Sequence, residues 1–250
     1  MKIFKLLTSL KSYMQVVILC GGKGTRLLPK TEEIPKPLIN LGGKPILWYI
    51  MKIYSKHGHK DFILCLGHLG DKIRKYFQNP ENVEKDWDIR FIDTGLENSK
   101  GERLRKVKDY IKGDTFLVSY GDDLSDVNIN EVIDFHKKND KIATLTAINP
   151  IFQYGVLDTN DNDEIIGFKE KPKLEHWING GYFVFSKKIF DYIEEGWDLE
   201  RETFEALAKE RQISAFKHTG FWKSMNTLKD TIELNEMWEK NDLKKILLGS

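Results

Sequence analysis

An apolar run, Val16-Val17-Ile18-Leu19-Cys20, has the character of a buried strand and stops at Gly21-Gly22-Lys23-Gly24-Thr25-Arg26. Three glycines in four positions let a backbone turn sharply and bring its N–H groups against a ligand. Lys23 and Arg26, with Lys36 ten residues further on, add fixed positive charge beside that bare backbone. The chemistry such a group can do is to seat a polyphosphate. It is not the phosphate loop of the P-loop NTPases, which needs four residues between its first glycine and Gly-Lys-Ser/Thr. Nor is it a dinucleotide fingerprint, because Leu27 stands where a third small residue is required.

Asp122 is the candidate metal ligand. It follows the apolar run Thr115–Ser119, in Tyr120-Gly121-Asp122-Asp123. Magnesium prefers oxygen ligands and is commonly held by one or two carboxylates together with phosphates and waters. Asp123 reads as part of the strand-ending turn. Lys36 lies between Pro35 and Pro37, which stiffen the backbone on both sides and aim the side chain reproducibly. None of the six histidines has a catalytic setting: His57 and His59 flank a helix end and His218 ends a strand.

Strand-length apolar runs alternating with helical patterns must position these residues, which predicts βαβ units and a mostly parallel sheet. The expected strands of the first half are Val16–Cys20, Phe62–Leu66, Ile89–Asp93, Thr115–Ser119 and Ile142–Ala147. The expected helices are Lys44–His57, Asp71–Phe77, Glu102–Ile111 and Ile129–Asn139. After Pro150 short alternating runs at Tyr154–Leu157, Ile165–Phe168 and Gly181–Phe185 predict antiparallel strands. Helices at Lys187–Ile193 and Thr203–Arg211, a strand Ile213–Lys217 and a last helix Leu228–Lys244 complete the reading. Ligands of open α/β sheets bind beyond the carboxyl ends of the strands. The loop after Cys20, Thr94-Gly95 and Gly121-Asp122 all fall there, which points to a metal-bound nucleoside triphosphate.

Composition bounds the function. A chain of 250 residues with 40% hydrophobic side chains fills one α/β domain, and 39 basic against 38 acidic residues give no global field. Nucleic-acid binding is excluded, and the longest apolar runs are too short to span a membrane. Cys20 and Cys65 sit in apolar runs and read as reduced, buried thiols, so a cytoplasmic location is expected. Residues 1–13 read as an N-terminal extension with apolar side chains at helical spacing. Residues 14–250 read as a single domain in two halves, a nucleotide-binding half at 14–150 and a second half at 151–250 that completes the cleft.

The chain resembles the nucleotide-sugar pyrophosphorylases, and among them the glucose-1-phosphate cytidylyltransferases. The resemblance is carried by G-G-x-G-T-R-L from Gly21, P-K-P-L from Pro35 and G-G-K-P-I-L-W-Y-I from Gly42. It continues in Asp93-Thr94-Gly95, Arg103-Leu104, Tyr120-Gly121-Asp122, Glu170-Lys171-Pro172-Lys173, Asn179-Gly180-Gly181 and Gly220-Phe221-Trp222. It implies a Rossmann-like mostly parallel sheet flanked by helices, with a small antiparallel sugar-binding part. It implies that Arg26, Lys36 and Asp122 are catalytic. The nucleotide would meet Leu19, Cys20, Gly21, Gly22, Lys23, Gly24, Thr25, Arg26, Thr94, Asn98, Gly101, Arg103 and Gly121. The sugar phosphate would meet Glu170, Lys171, Asn179 and Gly180. Mg2+ would bind Asp122 and the residue at position 226, and a homo-oligomer is expected.

The implied reaction is in-line attack of a sugar 1-phosphate oxygen on the α-phosphorus of the nucleotide, with pyrophosphate leaving. The attacking phosphate is already ionised, so positioning and charge neutralisation suffice without a general base. The chain departs from the family at Asn226, where the cytidylyltransferases carry an aspartate that ligates the metal; at Glu102, where they carry glycine; and at Leu28-Pro29-Lys30. Asn226 offers an oxygen without charge, so the metal should be held more weakly. Two functions follow. One is an active enzyme using CTP and glucose 1-phosphate, with UTP, dTTP or GTP as alternative nucleotides. The other is a catalytically impaired paralogue that binds nucleotide or sugar phosphate in a regulatory role.

Overall fold

The computed structural model describes residues 13–27 and 30–249. Seven strands form the main sheet: β1 (Gln15–Leu19), β2 (Asp61–Leu66), β3 (Asp88–Asp93), β4 (Thr115–Tyr120), β5 (Ala143–Ile148), β6 (Ile178–Ser186) and β7 (Ile213–His218). Their spatial order is β7-β5-β6-β4-β1-β2-β3. All pairings are parallel except those of β6, which runs antiparallel between β4 and β5. The long helices are α1 (Ile46–Lys56), α2 (Gly70–Gln78), α3 (Lys100–Lys106), α4 (Ile129–Asn139), α5 (Phe204–Lys209), α6 (Leu228–Glu239) and α7 (Asp242–Leu248).

Alternation along β1 divides the core in two. Val16 and Ile18 join one apolar cluster with α1, α6 and α7, and Val17 and Leu19 join another with Leu104, Phe116 and Phe204. Each such fully buried side chain contributes about 1.5–3 kcal/mol from removing its surface from water. Register then places the site. Leu19 pairs with Cys65 on one side and Tyr120 on the other, and Leu66 pairs with Asp93. The loops after β1 to β4 therefore leave the sheet at one level.

Several expected elements differ in detail. The expected strand Gly181–Phe185 starts earlier and lies inside the main sheet as β6. The runs at Tyr154–Leu157 and Ile165–Phe168 give a separate antiparallel hairpin, Val156–Thr159 with Ile165–Lys169. The helix expected over Glu102–Ile111 starts earlier, because Ser99 caps it by accepting the Glu102 N–H at 3.1 Å, and ends at Lys106 before a 3-10 turn. The helix expected over Lys187–Ile193 is 3-10 rather than α and spans Lys187–Tyr192, and the one expected over Thr203–Arg211 is Phe204–Lys209, preceded by a π turn, Leu199–Thr203. The last helix breaks at Asn241, which takes φ of 65° and separates α6 from α7. The hairpin carries exposed apolar side chains: Leu157 is 50%, Ile166 69% and Phe168 62% exposed. Of the N-terminal extension only Tyr13 falls among the described residues, and Leu28 and Pro29 also lie outside them. No described helix is long and apolar enough to cross a membrane. Both cysteines are free and buried.

Candidate functional site

A cleft of about 620 Å³ opens at the carboxyl ends of β1 and β4. Leu19, Gly21, Gly22 and Arg26 line it from the glycine loop, Asn98 and Arg103 from the segment after β3, Asp122 from the end of β4, and Asn226 from the segment before α6. Gly22 has open space where a side chain would project, as a loop that receives a ligand requires. Gly24 takes φ of +64°, a conformation that favours glycine, and its carbonyl accepts hydrogen bonds from the Leu27 N–H and the Thr31 hydroxyl. Lys23 is exposed and pairs with Glu97 at 2.7 Å, bridging the glycine loop to the segment after β3.

Gly21 is bare for a different reason. A Cβ there would lie 2.2 Å from Arg103 Nη1. The Arg103 guanidinium, only 4% exposed, donates to the carbonyls of Gly21, Leu66, Gly95 and Leu96 and to the Thr94 hydroxyl. Arg103, expected to bind the nucleotide, lines the cleft, and its Nη1 and Nη2 donors tie three loops together there. Thr94 is likewise fully buried, its hydroxyl bonded to the Leu66 carbonyl. Gly101 is a packing residue: a Cβ there would meet the Trp197 carbonyl at 2.4 Å. Cys20 is buried, its thiol donates to the Cys65 carbonyl, and burial pushes that thiol up to about 12, so it stays protonated. Asn98 keeps a place in the wall, its amide bonded to the Thr94 carbonyl.

Lys36, Asp122 and Asn226 meet at one point. Lys36 Nζ pairs with Asp122 Oδ2 and donates to Asn226 Oδ1 at 2.8 Å. Positions 122 and 226 are brought together by a small sheet, Asp123–Ser125 against Trp222–Ser224, and by the Met225 N–H donating to the Asp122 carbonyl at 2.9 Å. Asn226 is fixed by its Nδ2, which donates to Ser224 Oγ at 2.8 Å, and by its N–H, which donates to Asp230. Asp230 also forms a capping box with Thr227 that starts α6. Two oxygens converging on one ammonium are the donor set that a hard cation takes. Among the described residues no group of three or more His, Cys, Asp or Glu side chains forms a ready metal cage. A metal at Asp122 and Asn226 would have to complete its shell from phosphate oxygens and water.

Asp123 does more than end a strand. It is 5% exposed, and burial together with the Asp122 charge pushes its carboxyl well above the usual carboxylate range. A Cβ on Gly181 would lie 2.2 Å from Asp123 Oδ2, so that glycine, at φ of +79°, makes room for the carboxylate. Gly180, expected to admit the sugar ring, instead admits its neighbouring strand: a Cβ there would meet Ile148 and the Thr146 carbonyl within 3.0 Å. Asn179 lines the cleft as expected. Glu170 and Lys171 do not. They sit at the end of the exposed hairpin, 3.6 Å from each other, and Lys171 takes φ of 46°.

Lys100, Tyr120, Asp198 and Trp222 also line the cleft; Lys100 lies within the Asn98–Arg103 segment that the resemblance assigns to the nucleotide, but none of the four was named individually as a site residue. The signal for Lys100 was the cap Ser99-x-x-Glu102, which places it in the first turn of α3 beside the cleft. Asp198 and its neighbour Glu200 had no motif to mark them.

A model of the nucleotidyl transferase family matches residues 15–241. The chain is 40% identical over 247 residues to the probable glucose-1-phosphate cytidylyltransferase of Bacillus subtilis (strain 168), covering 91% of this chain and 97% of that one. It is 43% identical over 250 residues to the glucose-1-phosphate cytidylyltransferase of Salmonella typhimurium, covering 91% and 96%. Among solved structures, HddC from Yersinia pseudotuberculosis complexed with GMP-PN has a TM-score of 0.71 at 24% identity, covering 90% of this chain and 99% of that one. UDP-glucose pyrophosphorylase complexed with UDP-glucose has a TM-score of 0.72 at 17% identity, covering 91% and 99%. These two structural likenesses concern the fold.

Proposed function

The chain belongs to the nucleotidyl transferase family, and from that premise we propose that it joins CTP and glucose 1-phosphate into a nucleotide sugar with release of pyrophosphate. The observation that carries this reading is the meeting of Lys36 with Asp122 at the foot of a cleft that Gly22 and Arg26 also line. Gly22, with open space before it, lets the triphosphate approach the backbone N–H groups. Arg26 offers a planar fork to phosphate oxygens and Lys36 a point charge. Both act on charge that grows on the phosphates as the α-phosphorus is attacked in line. Asp122 and Asn226 would hold Mg2+, which when bound supplies further neutralisation of phosphate charge. Asn179 meets the sugar. The choice of CTP rests on the two cytidylyltransferase relatives; UTP, dTTP and GTP are the competing substrates. The test incubates the protein with each of these nucleotides, glucose 1-phosphate and magnesium, and measures pyrophosphate. Release is expected with CTP in clear excess over the others. No release above blank with any pair would overturn the enzyme reading in favour of the impaired paralogue, which Asn226 otherwise supports.

Assembly of copies of this chain through the apolar hairpin at 156–169 is part of the same proposal. A two-stranded hairpin is marginal by itself, and Ile165 (61% exposed) and Ile166, which sits where the pairing register shifts between Ile165 and Gly167, both stand in solvent. Light scattering should give a mass of at least two chains, and Ile166→Glu should return it to one. A monomeric native mass would refute the assembly.

A further inference from the structure

Glu200 lies outside every motif of the sequence, yet it holds together three side chains that line the cleft. Its Oε1 accepts from Lys100 Nζ and from the Tyr120 hydroxyl, and its own N–H donates to Asp198 Oδ1 at 3.0 Å. Tyr120 Oη in turn accepts from Asn179 Nδ2 at 3.2 Å. Asn179 Oδ1 accepts the Gly181 N–H at 2.9 Å. The Lys100 ammonium stands 4.6 Å over the Tyr120 ring. Burial raises the Glu200 carboxyl above the ordinary carboxylate range, and its second oxygen, Oε2, is buried without a partner among the described residues. A carboxylate kept in so unfavourable a setting is typical of a functional wall rather than a stabilising contact.

The direction of the hydrogen bonds gives Glu200 its role. A phenol has one proton to donate. A carboxylate oxygen can only accept, so Tyr120 gives that proton to Glu200 and turns its lone pairs to Asn179. The Asn179 amide is then fixed with nitrogen towards Tyr120 and oxygen towards the Gly181 N–H. Its second N–H remains to offer a ligand. Without the carboxylate, the phenol proton can point at Asn179 instead, so that Tyr120 and the Gly181 N–H compete for the same amide oxygen and the amide loses its single orientation. We propose that Glu200, acting through Tyr120, is a positioning residue that sets the donor face of Asn179 towards a hydroxyl oxygen of the sugar ring. This rests on the reading that Asn179 meets the sugar of the hexose 1-phosphate.

Steady-state kinetics of the full chain with CTP and glucose 1-phosphate test it. Tyr120→Phe removes one oxygen and keeps the ring; Glu200→Gln keeps the shape and permits the opposite polarity. Each is expected to raise KM for glucose 1-phosphate about tenfold while KM for CTP stays within about twofold. In an Asn179→Ala background the same two substitutions should add nothing further, since the group they orient is gone. Equal changes in both KM values, or an effect that persists undiminished in the Asn179→Ala background, would overturn the proposal. Wild-type protein that releases no pyrophosphate would instead overturn the enzymatic reading, so the two failures are separable. Should Glu200→Gln not fold, Tyr120→Phe alone carries the same comparison.

Discussion

Lys36→Ala is expected to lower kcat by about 10³-fold, the scale of removing one preorganised charge from the developing anion of a transition state. Pro35 and Pro37 hold the backbone on either side of Lys36, and its side chain is only 13% exposed. The ammonium therefore reaches its place without losing much freedom at the moment of reaction. A 10³-fold loss corresponds to about 4 kcal/mol of transition-state stabilisation. Lys36→Arg should recover little, because a planar fork does not reproduce a compact point charge directed at the phosphates once the metal takes the oxygens of Asp122 and Asn226. The melting temperature should move little, since the partly exposed Asp122 can take water in place of the lysine. The measurement is pyrophosphate release at saturating substrates alongside a thermal melt. Activity of the alanine variant within tenfold of the wild type would remove Lys36 from the catalytic set.

What the sequence made legible was what depends on local pattern. Strand β1 and its glycine loop, the helix after Pro45, and Asp122 at a strand end follow from periodicity, turn chemistry and the rule that ligands gather at carboxyl ends of strands. Lys36 was found because two prolines frame it. The misplacements share a cause: the sequence shows that a residue is special but not what it approaches. Gly21, Gly101 and Gly180 are glycines because Arg103, the Trp197 carbonyl and the neighbouring strand come close, and those neighbours lie up to 96 positions away in the chain. Arg103 carries charge near the loop, but only the fold reveals five oxygens already claiming it. Glu200 and Asp198 were invisible because their partners, Lys100 and Tyr120, arrive from the other half of the molecule. Asp123 was read as a turn residue because nothing local says that Gly181 and Ser224 will enclose it.

Asn226→Asp is expected to lower the half-saturating magnesium concentration by about tenfold or more. In the native chain the Asp122 carboxylate is matched by the Lys36 ammonium, and Asn226 adds an oxygen without charge, so a divalent cation meets a locally neutral seat. An aspartate at 226 would make that seat net negative. Two unit charges 4 Å apart interact by about 4 kcal/mol at the effective dielectric of a protein surface, and a divalent ion gains more, before Asp122's partial exposure and salt reduce the figure. Tenfold, about 1.4 kcal/mol, is thus a conservative expectation. The substitution also fits its surroundings. Asn226 Nδ2 now donates to Ser224 Oγ, and a carboxylate in its place would accept from that hydroxyl without repacking. Position 226 lies just ahead of the first turn of α6, where the helix dipole favours negative charge. Manganese binding followed by electron paramagnetic resonance, with and without CTP, reads affinity independently of turnover. Native protein should bind the ion appreciably only with CTP present, because phosphate oxygens must supply the charge that Asn226 lacks, whereas Asn226→Asp should bind it alone. Equal affinities in the two proteins would show that position 226 does not touch the metal, and Asp122 would then be the sole protein ligand of this proposed site.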